Sequence, residues 1–147
     1  MNKVVISDTS CLIALQRVKK LEILKLLFKN VIITKEVYQE FGETLPEWIS
    51  VVKNQNESKF IELKKVLDFG EASSIALALD TGNSLLIIDE SKGRKIALKN
   101  GLDIIGTLGI LTLAKKAGLI DDFEKVLEDL RENGFHISKK LMDILLS

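Results

Sequence analysis

Four carboxylates in this chain, Asp8, Glu40, Glu71 and Asp89, fall where a fold could gather them. Asp8 follows the apolar run Val4-Val5-Ile6 and Asp89 follows Leu85-Leu86-Ile87-Ile88, while Glu40 and Glu71 lie near the starts of helical segments that open at Thr34 and Asp68. Carboxylates brought to one edge repel unless protonated or neutralised by a cation, so such a set implies Mg²⁺ or Mn²⁺ held by oxygen ligands. A cation of that kind lowers the pKa of a water, orients it toward a phosphodiester and offsets charge on the leaving oxygen. Histidine does not compete as general base, because His136 is the only one and its neighbours Phe135 and Ile137 suggest packing. Each acid also has a purely structural explanation. Asp8 would cap a helix begun by Thr9-Ser10, Asp89 would cap the helix after it, Asp68 and Glu71 form a D-x-x-E capping box, and Glu40 would be an ordinary exposed helical acid.

The elements that must position these acids are legible as alternating runs. Val4 to Ile6, Val31 to Ile33 and Leu85 to Ile88 carry no polar alternation, the mark of strands buried on both faces, and Ile104-Ile105 supplies a further short strand. Between them lie helical patterns: Leu21 to Leu27, the segment of Val37 and Phe41 capped by Thr34, and the one opened by Asp68 whose Ala72, Ile75, Ala76 and Leu79 recur at helical spacing. Another carries Ile96 and Ala97 and closes at Asn100-Gly101. Alternation of this kind predicts a parallel sheet covered on both faces. In such sheets the ligand crevice lies beyond the carboxyl ends of the strands, the edge where Asp8 and Asp89 fall. From Gly42 to Leu67 the pattern is open: Val51-Val52 reads as strand, Asn54-Gln55-Asn56 as a turn, and Phe60 to Leu67 as strand or helix. Past Gly106 three helices follow, Leu108 to Ala117, Phe123 to Leu130 and Leu141 to Leu146, the last capped by Ser138 and apolar enough to pack on the core or on a partner.

A length of 147 residues suits one domain, and 46% hydrophobic with 29% charged residues suits a soluble globular class. Formal net charge is zero, so any grip on nucleic acid must be local. Cys11 is the only cysteine, which excludes an internal disulfide and a thiolate cluster. The opening residues lack the long apolar stretch of a signal peptide or membrane span, and the cytoplasm is the expected location, with no membrane partner.

Ile6-Ser7-Asp8-Thr9-Ser10, Val37-Tyr38-Gln39-Glu40, Gly70-Glu71-Ala72 and Ile87-Ile88-Asp89 resemble the four acidic segments of the PIN domain family, metal-dependent nucleases that include the VapC-type toxins. Gly106-Thr107-Leu108-Gly109-Ile110-Leu111 and Gly134-Phe135-His136-Ile137-Ser138 look like a PIN-like subfamily of poorly defined role. The resemblance implies one domain over 1–147: three α/β/α layers around a central parallel sheet of about four or five strands, extended by C-terminal helices. It implies an Mg²⁺- or Mn²⁺-dependent endoribonuclease, with Asp8, Glu71 and Asp89 on the metal and Glu40 completing the catalytic set. It also implies a homodimer and the toxin of a type II pair, with an antitoxin protein as partner. Glu71 stands where many such toxins carry aspartate, and Ile87 where they carry Ser or Thr. Lys92, Arg94, Lys95 and Lys99 follow Asp89, Lys92, Lys95 and Lys99 sharing one helical face, and two readings stand for them, a grip on RNA phosphates or a plain solvated helix face. The alternatives are a receiver-type phosphoacceptor domain and a catalytically silent PIN-like interaction protein.

Overall fold

A computed structural model of the chain describes residues 3–53 and 56–147, so that Asn54 and Gln55 of the expected turn lie outside the described residues. Strand β1 (Val4–Ser7) leads into α1 (Thr9–Arg17) and α2 (Glu22–Phe28); β2 (Val31–Thr34) leads into α3 (Lys35–Phe41). Thr34 caps α3 by accepting the Val37 N–H at 3.1 Å, and Gly42 closes it in the left-handed region at φ 71°, where a side chain would be strained. The segment left open in the sequence resolves into β3 (Ile49–Val52) and α4 (Glu57–Leu63). Then come α5 (Phe69–Thr81), β4 (Ser84–Ile87), α6 (Ser91–Lys99), β5 (Asp103–Ile105), α7 (Thr107–Lys116), α8 (Phe123–Glu132) and α9 (Lys139–Leu146).

The five strands form one sheet in the order β3-β2-β1-β4-β5, every neighbouring pair parallel. From β1 the chain winds outward through β2 to β3, then crosses back to β4 on the other side of β1. Connections therefore diverge between β1 and β4, which is where a crevice opens in sheets of this type. A receiver-type sheet runs 2-1-3-4-5 and puts β1 beside β3, so this topology is not that of a phosphoacceptor domain.

Side chains alternate across the sheet into two cores, which makes the layers three. Val5, Val31, Ile33 and Ile87 face a core shared with Leu12, Leu24, Ile110 and Leu127 of the helices on one side. Ile6, Leu86 and Ile88 face the other, with Ala72, Ile75 and Ala97. Burial of an isoleucine or leucine side chain stabilises by roughly 1.5–3 kcal/mol, so fully buried residues on both faces fix the register of β1 against β4. That register pairs Ser7 with Ile87 and leaves Asp8 and Asp89 just past the same edge. The C-terminal helices pack on the chain itself: Met142 of α9 is buried and Leu141 and Leu145 lie on the first core, while Ile144 stays exposed.

Candidate metal centre

Asp8 is the most enclosed of the acids, 1% exposed at the tip of β1. One carboxylate oxygen accepts the Cys11 N–H at 3.3 Å and so caps α1; the other accepts the Asp89 N–H, also at 3.3 Å. The Asp8 N–H donates to Ile87 O at 2.9 Å. The residue thus fastens the tips of β1 and β4 together while capping a helix, and the capping role does not exclude a second one. Burial, and then the charge of Asp89, raise its pKa from 3.8 to about 7.

Asp89 does not cap the helix that follows it. Glu90 does, accepting the Lys92 N–H at 3.1 Å. The Asp89 carboxylate turns instead to the start of α7, where it accepts the Thr107 N–H at 2.7 Å and the Thr107 hydroxyl at 2.6 Å. A Cβ at Gly106 would come within 2.9 Å of Asp89 Oδ1 and 3.0 Å of Arg94 Nη1, so glycine is what lets this carboxylate approach. Ile87 points into the first core, and the hydroxyl absent from that position is supplied beside Asp89 by the fully buried Thr107.

Glu71 is 8% exposed. Only half of its expected capping box forms: Asp68 Oδ1 accepts the Glu71 N–H at 2.9 Å, whereas Glu71 Oε2 is buried without a hydrogen-bond partner. That oxygen lies 3.0 Å from where a Cβ would stand at Gly93 in α6. Burial first, then Asp68, with smaller contributions from Glu90 and Asp8, raise the Glu71 pKa from 4.5 to about 8. Asp8, Asp68, Glu71, Asp89 and Glu90 therefore share one negative field around the β1/β4 edge.

Glu40 is exposed and stands at the end of α3, not near its start as expected, and it reaches the neighbours of Asp8 and Glu71 instead of the acids themselves. Its Oε1 accepts the Thr9 hydroxyl at 2.5 Å and its Oε2 the Gly70 N–H at 3.2 Å, joining the starts of α1 and α5. A Cβ at Gly70 would stand 2.1 Å from Glu40 Oε1, so the latch depends on that glycine. With both oxygens taken by protein donors, Glu40 orients the helices that carry Asp8 and Glu71.

Of the basic residues after Asp89, Lys92, Lys95 and Lys99 are exposed along α6. Arg94 is half-buried and donates from Nη1 to Ile88 O at 2.8 Å, bracing the strand end beneath Asp89. Cys11 is fully buried, and burial with Asp89 nearby pushes its thiol well up, which suits core packing and removes it as a nucleophile.

Among the described residues, no three acids, histidines or cysteines are drawn together closely enough to enclose a metal ion as they are placed. The donor set nevertheless fits one. Glu71 Oε2 shares its lack of a partner with Glu36 Oε1 of α3, and what sets Glu71 apart is its place among other acids: two carboxyls there with raised pKa values are what a cation would relieve. Sequence reasoning missed Thr107, the added charge of Asp68 and Glu90, and the glycines Gly70, Gly93 and Gly106 that make room for carboxylates. The one available signal was Gly106-Thr107 directly after Ile105, a glycine and hydroxyl at a strand end opening a helix.

A family model, DUF3368, described as a PIN domain, matches residues 4–147. No curated protein matches the chain.

Proposed function

The chain belongs to the PIN domain family, whose members are generally nucleases, and on that premise we propose that its residues act as a single metal-dependent endoribonuclease domain. The observation that supports the reading is the pairing of Asp8 with Asp89 across the β1/β4 switch point, with Glu71 close enough to feel the charge of Asp8 and its Oε2 buried and unpartnered. These three carboxylates would hold Mg²⁺ or Mn²⁺. When bound, the cation supplies Lewis acidity toward a phosphodiester and its attacking water, and offsets the charge of the acids. Thr107 holds Asp89 in one orientation, Glu40 fixes the starts of α1 and α5, and Arg94 braces the floor. Lys92, Lys95 and Lys99 present exposed charge to the phosphates of RNA, with Arg94 close by. Hydrolysis would leave 5′-phosphate and 3′-hydroxyl ends. Family likeness extends the proposal to a homodimer and to the toxin of a type II pair restrained by an antitoxin.

The test is purified protein with small structured and unstructured RNAs in Mn²⁺ or Mg²⁺. Cleavage by the wild type that is lost in Asp8→Asn and Asp89→Asn supports the assignment; equal cleavage by wild type and Asp8→Asn sinks it. The spacing of the acids as placed favours a second reading, a silent PIN-like binding protein. Calorimetry separates the two, because the silent reading stands if no Mn²⁺ binding sensitive to Asp89→Asn is seen.

A further inference from the structure

The helix start that carries Asp68 and Glu71 also carries one member of an aromatic cluster that sequence spacing conceals. Helix α4 packs on α5 and brings the Phe60 ring against that of Phe69 edge to face, with centroids 6.2 Å apart and planes at 77°. Lys64 Nζ stands over both, 5.5 Å from the Phe60 centroid and 6.0 Å from that of Phe69. Phe60 is half-buried on the second core, which anchors the pair. Phe69, in contrast, is 56% exposed. It is the first residue of α5, placed between the helix cap Asp68 and Gly70, two residues and about 3 Å of helix rise from Glu71.

Exposed apolar side chains are common on this chain, Leu26 and Leu98 among them, and what distinguishes Phe69 is an exposed aromatic ring braced by a second ring and a lysine. The ring is held by Phe60, stands mostly in solvent at the start of the helix that carries Glu71, and has the Lys64 cation beside it. We propose that Phe69, backed by Phe60 and Lys64, is a stacking platform for a base of single-stranded RNA next to the bond to be cleaved. The identity of the nucleic acid rests on the nuclease reading above; the platform rests on the cluster. Stacking on phenylalanine involves no hydrogen-bond readout, so the subsite tolerates any base and discriminates single strands from duplexes, whose bases are already stacked. The lysine supplies the electrostatic attraction that a chain of zero net charge cannot supply as a whole.

The experiment is a fluorescence-anisotropy titration of a short unstructured oligoribonucleotide, and of the same sequence in duplex form, in EDTA. Wild type, Phe69→Ala and Phe69→Trp are compared, and thermal unfolding checks that each is folded. The expected result is single-strand binding weakened about 5- to 150-fold in Phe69→Ala, the loss of one base–aromatic stack of ~1–3 kcal/mol, and restored in Phe69→Trp, with duplex affinity unmoved. The platform is overturned if the wild type does not bind the single strand or if Phe69→Ala binds it equally well. It is likewise overturned if Phe69→Ala leaves RNA affinity intact but changes the protein's mass in sedimentation, which makes the patch a protein interface. Cleavage assays on the same proteins keep the two ideas apart. Phe69-dependent binding without cleavage removes the nuclease and leaves the platform, whereas cleavage with Phe69-independent binding removes only the platform.

Discussion

Replacing Asp8 by asparagine should raise the stability of the metal-free protein at pH 8 and abolish its stabilisation by metal. A carboxylate whose pKa is raised by folding stabilises the fold only in its protonated form. That contribution is complete below the ordinary value of 3.8 and is lost as pH climbs to about 7. At pH 8 the loss is complete, and a shift of this size corresponds to about 4 kcal/mol. Asparagine carries no charge at any pH and caps a helix as well as aspartate, so the Cys11 N–H keeps its acceptor. Its amide group cannot also accept from the Asp89 N–H, and a buried donor left unpaired costs about 1–3 kcal/mol. The balance is a gain of roughly 1–3 kcal/mol at pH 8, several degrees in Tm for a chain of this length. At pH 5, where wild-type Asp8 is protonated, the gain should vanish or reverse. Thermal unfolding followed by circular dichroism in EDTA at both pH values reads this directly, and added Mn²⁺ should then raise the Tm of the wild type alone. A variant less stable than wild type at pH 8 without metal, or an equal Mn²⁺ effect on both proteins, refutes the reasoning.

The same raised pKa values make Mn²⁺ binding a proton-releasing event: calorimetric affinity should climb between pH 6 and pH 8 as Asp8 and Glu71 lose their protons near 7 and 8, and a flat profile contradicts it. Thr107→Val removes the hydroxyl bonded to Asp89 while keeping the side-chain volume, so Mn²⁺ affinity should fall roughly 10- to 100-fold with the circular dichroism spectrum unchanged. Gly70→Ala should expel the Glu40 carboxylate, with stability changed by less than about 1 kcal/mol because alanine favours the helix. Cleavage should drop as in Glu40→Ala, while Glu40→Gln, able to pair with both Thr9 and Gly70, should retain it; loss in Glu40→Gln equal to that in Glu40→Ala would make the charge itself essential. Lys92, Lys95 and Lys99 changed together to Ala should lower the salt dependence of RNA binding by about two to three units of slope in a log–log plot, measured by anisotropy.

The two-sided burial of β1, β2 and β4 was legible because residues in a central parallel strand meet apolar neighbours on both faces, and Val5-Ile6, Val31-Ile32-Ile33 and Leu85 to Ile88 say so in their composition, whereas Val4, expected to be buried with them, opens β1 in solvent. The polar tips followed from the same runs, since Asp8 and Asp89 lie just past the ends of β1 and β4. Strand β3 was faint because it is an edge strand: only Ile49 is buried, Ser50 and Val51 are exposed, and neither alternation nor a continuous apolar run survives in four residues. Helix α4 was ambiguous for a similar reason, with Leu63 its only buried residue.

What sequence by itself determined is the α/β class, the parallel sheet, and the candidacy of four acids, because these depend on local pattern and on residues adjacent in the chain. Tertiary structure alone decided the strand order, and with it that β1 and β4 are neighbours. It also decided which backbone and hydroxyl groups each carboxylate meets: Asp89 with Thr107, Glu40 with Thr9 and Gly70, Glu71 with no partner for its inner oxygen. Those pairings join residues 18 to 31 positions apart, and the Asp8 to Asp89 contact joins residues 81 apart. Hydrogen bonding and desolvation act through space, so no local pattern encodes them.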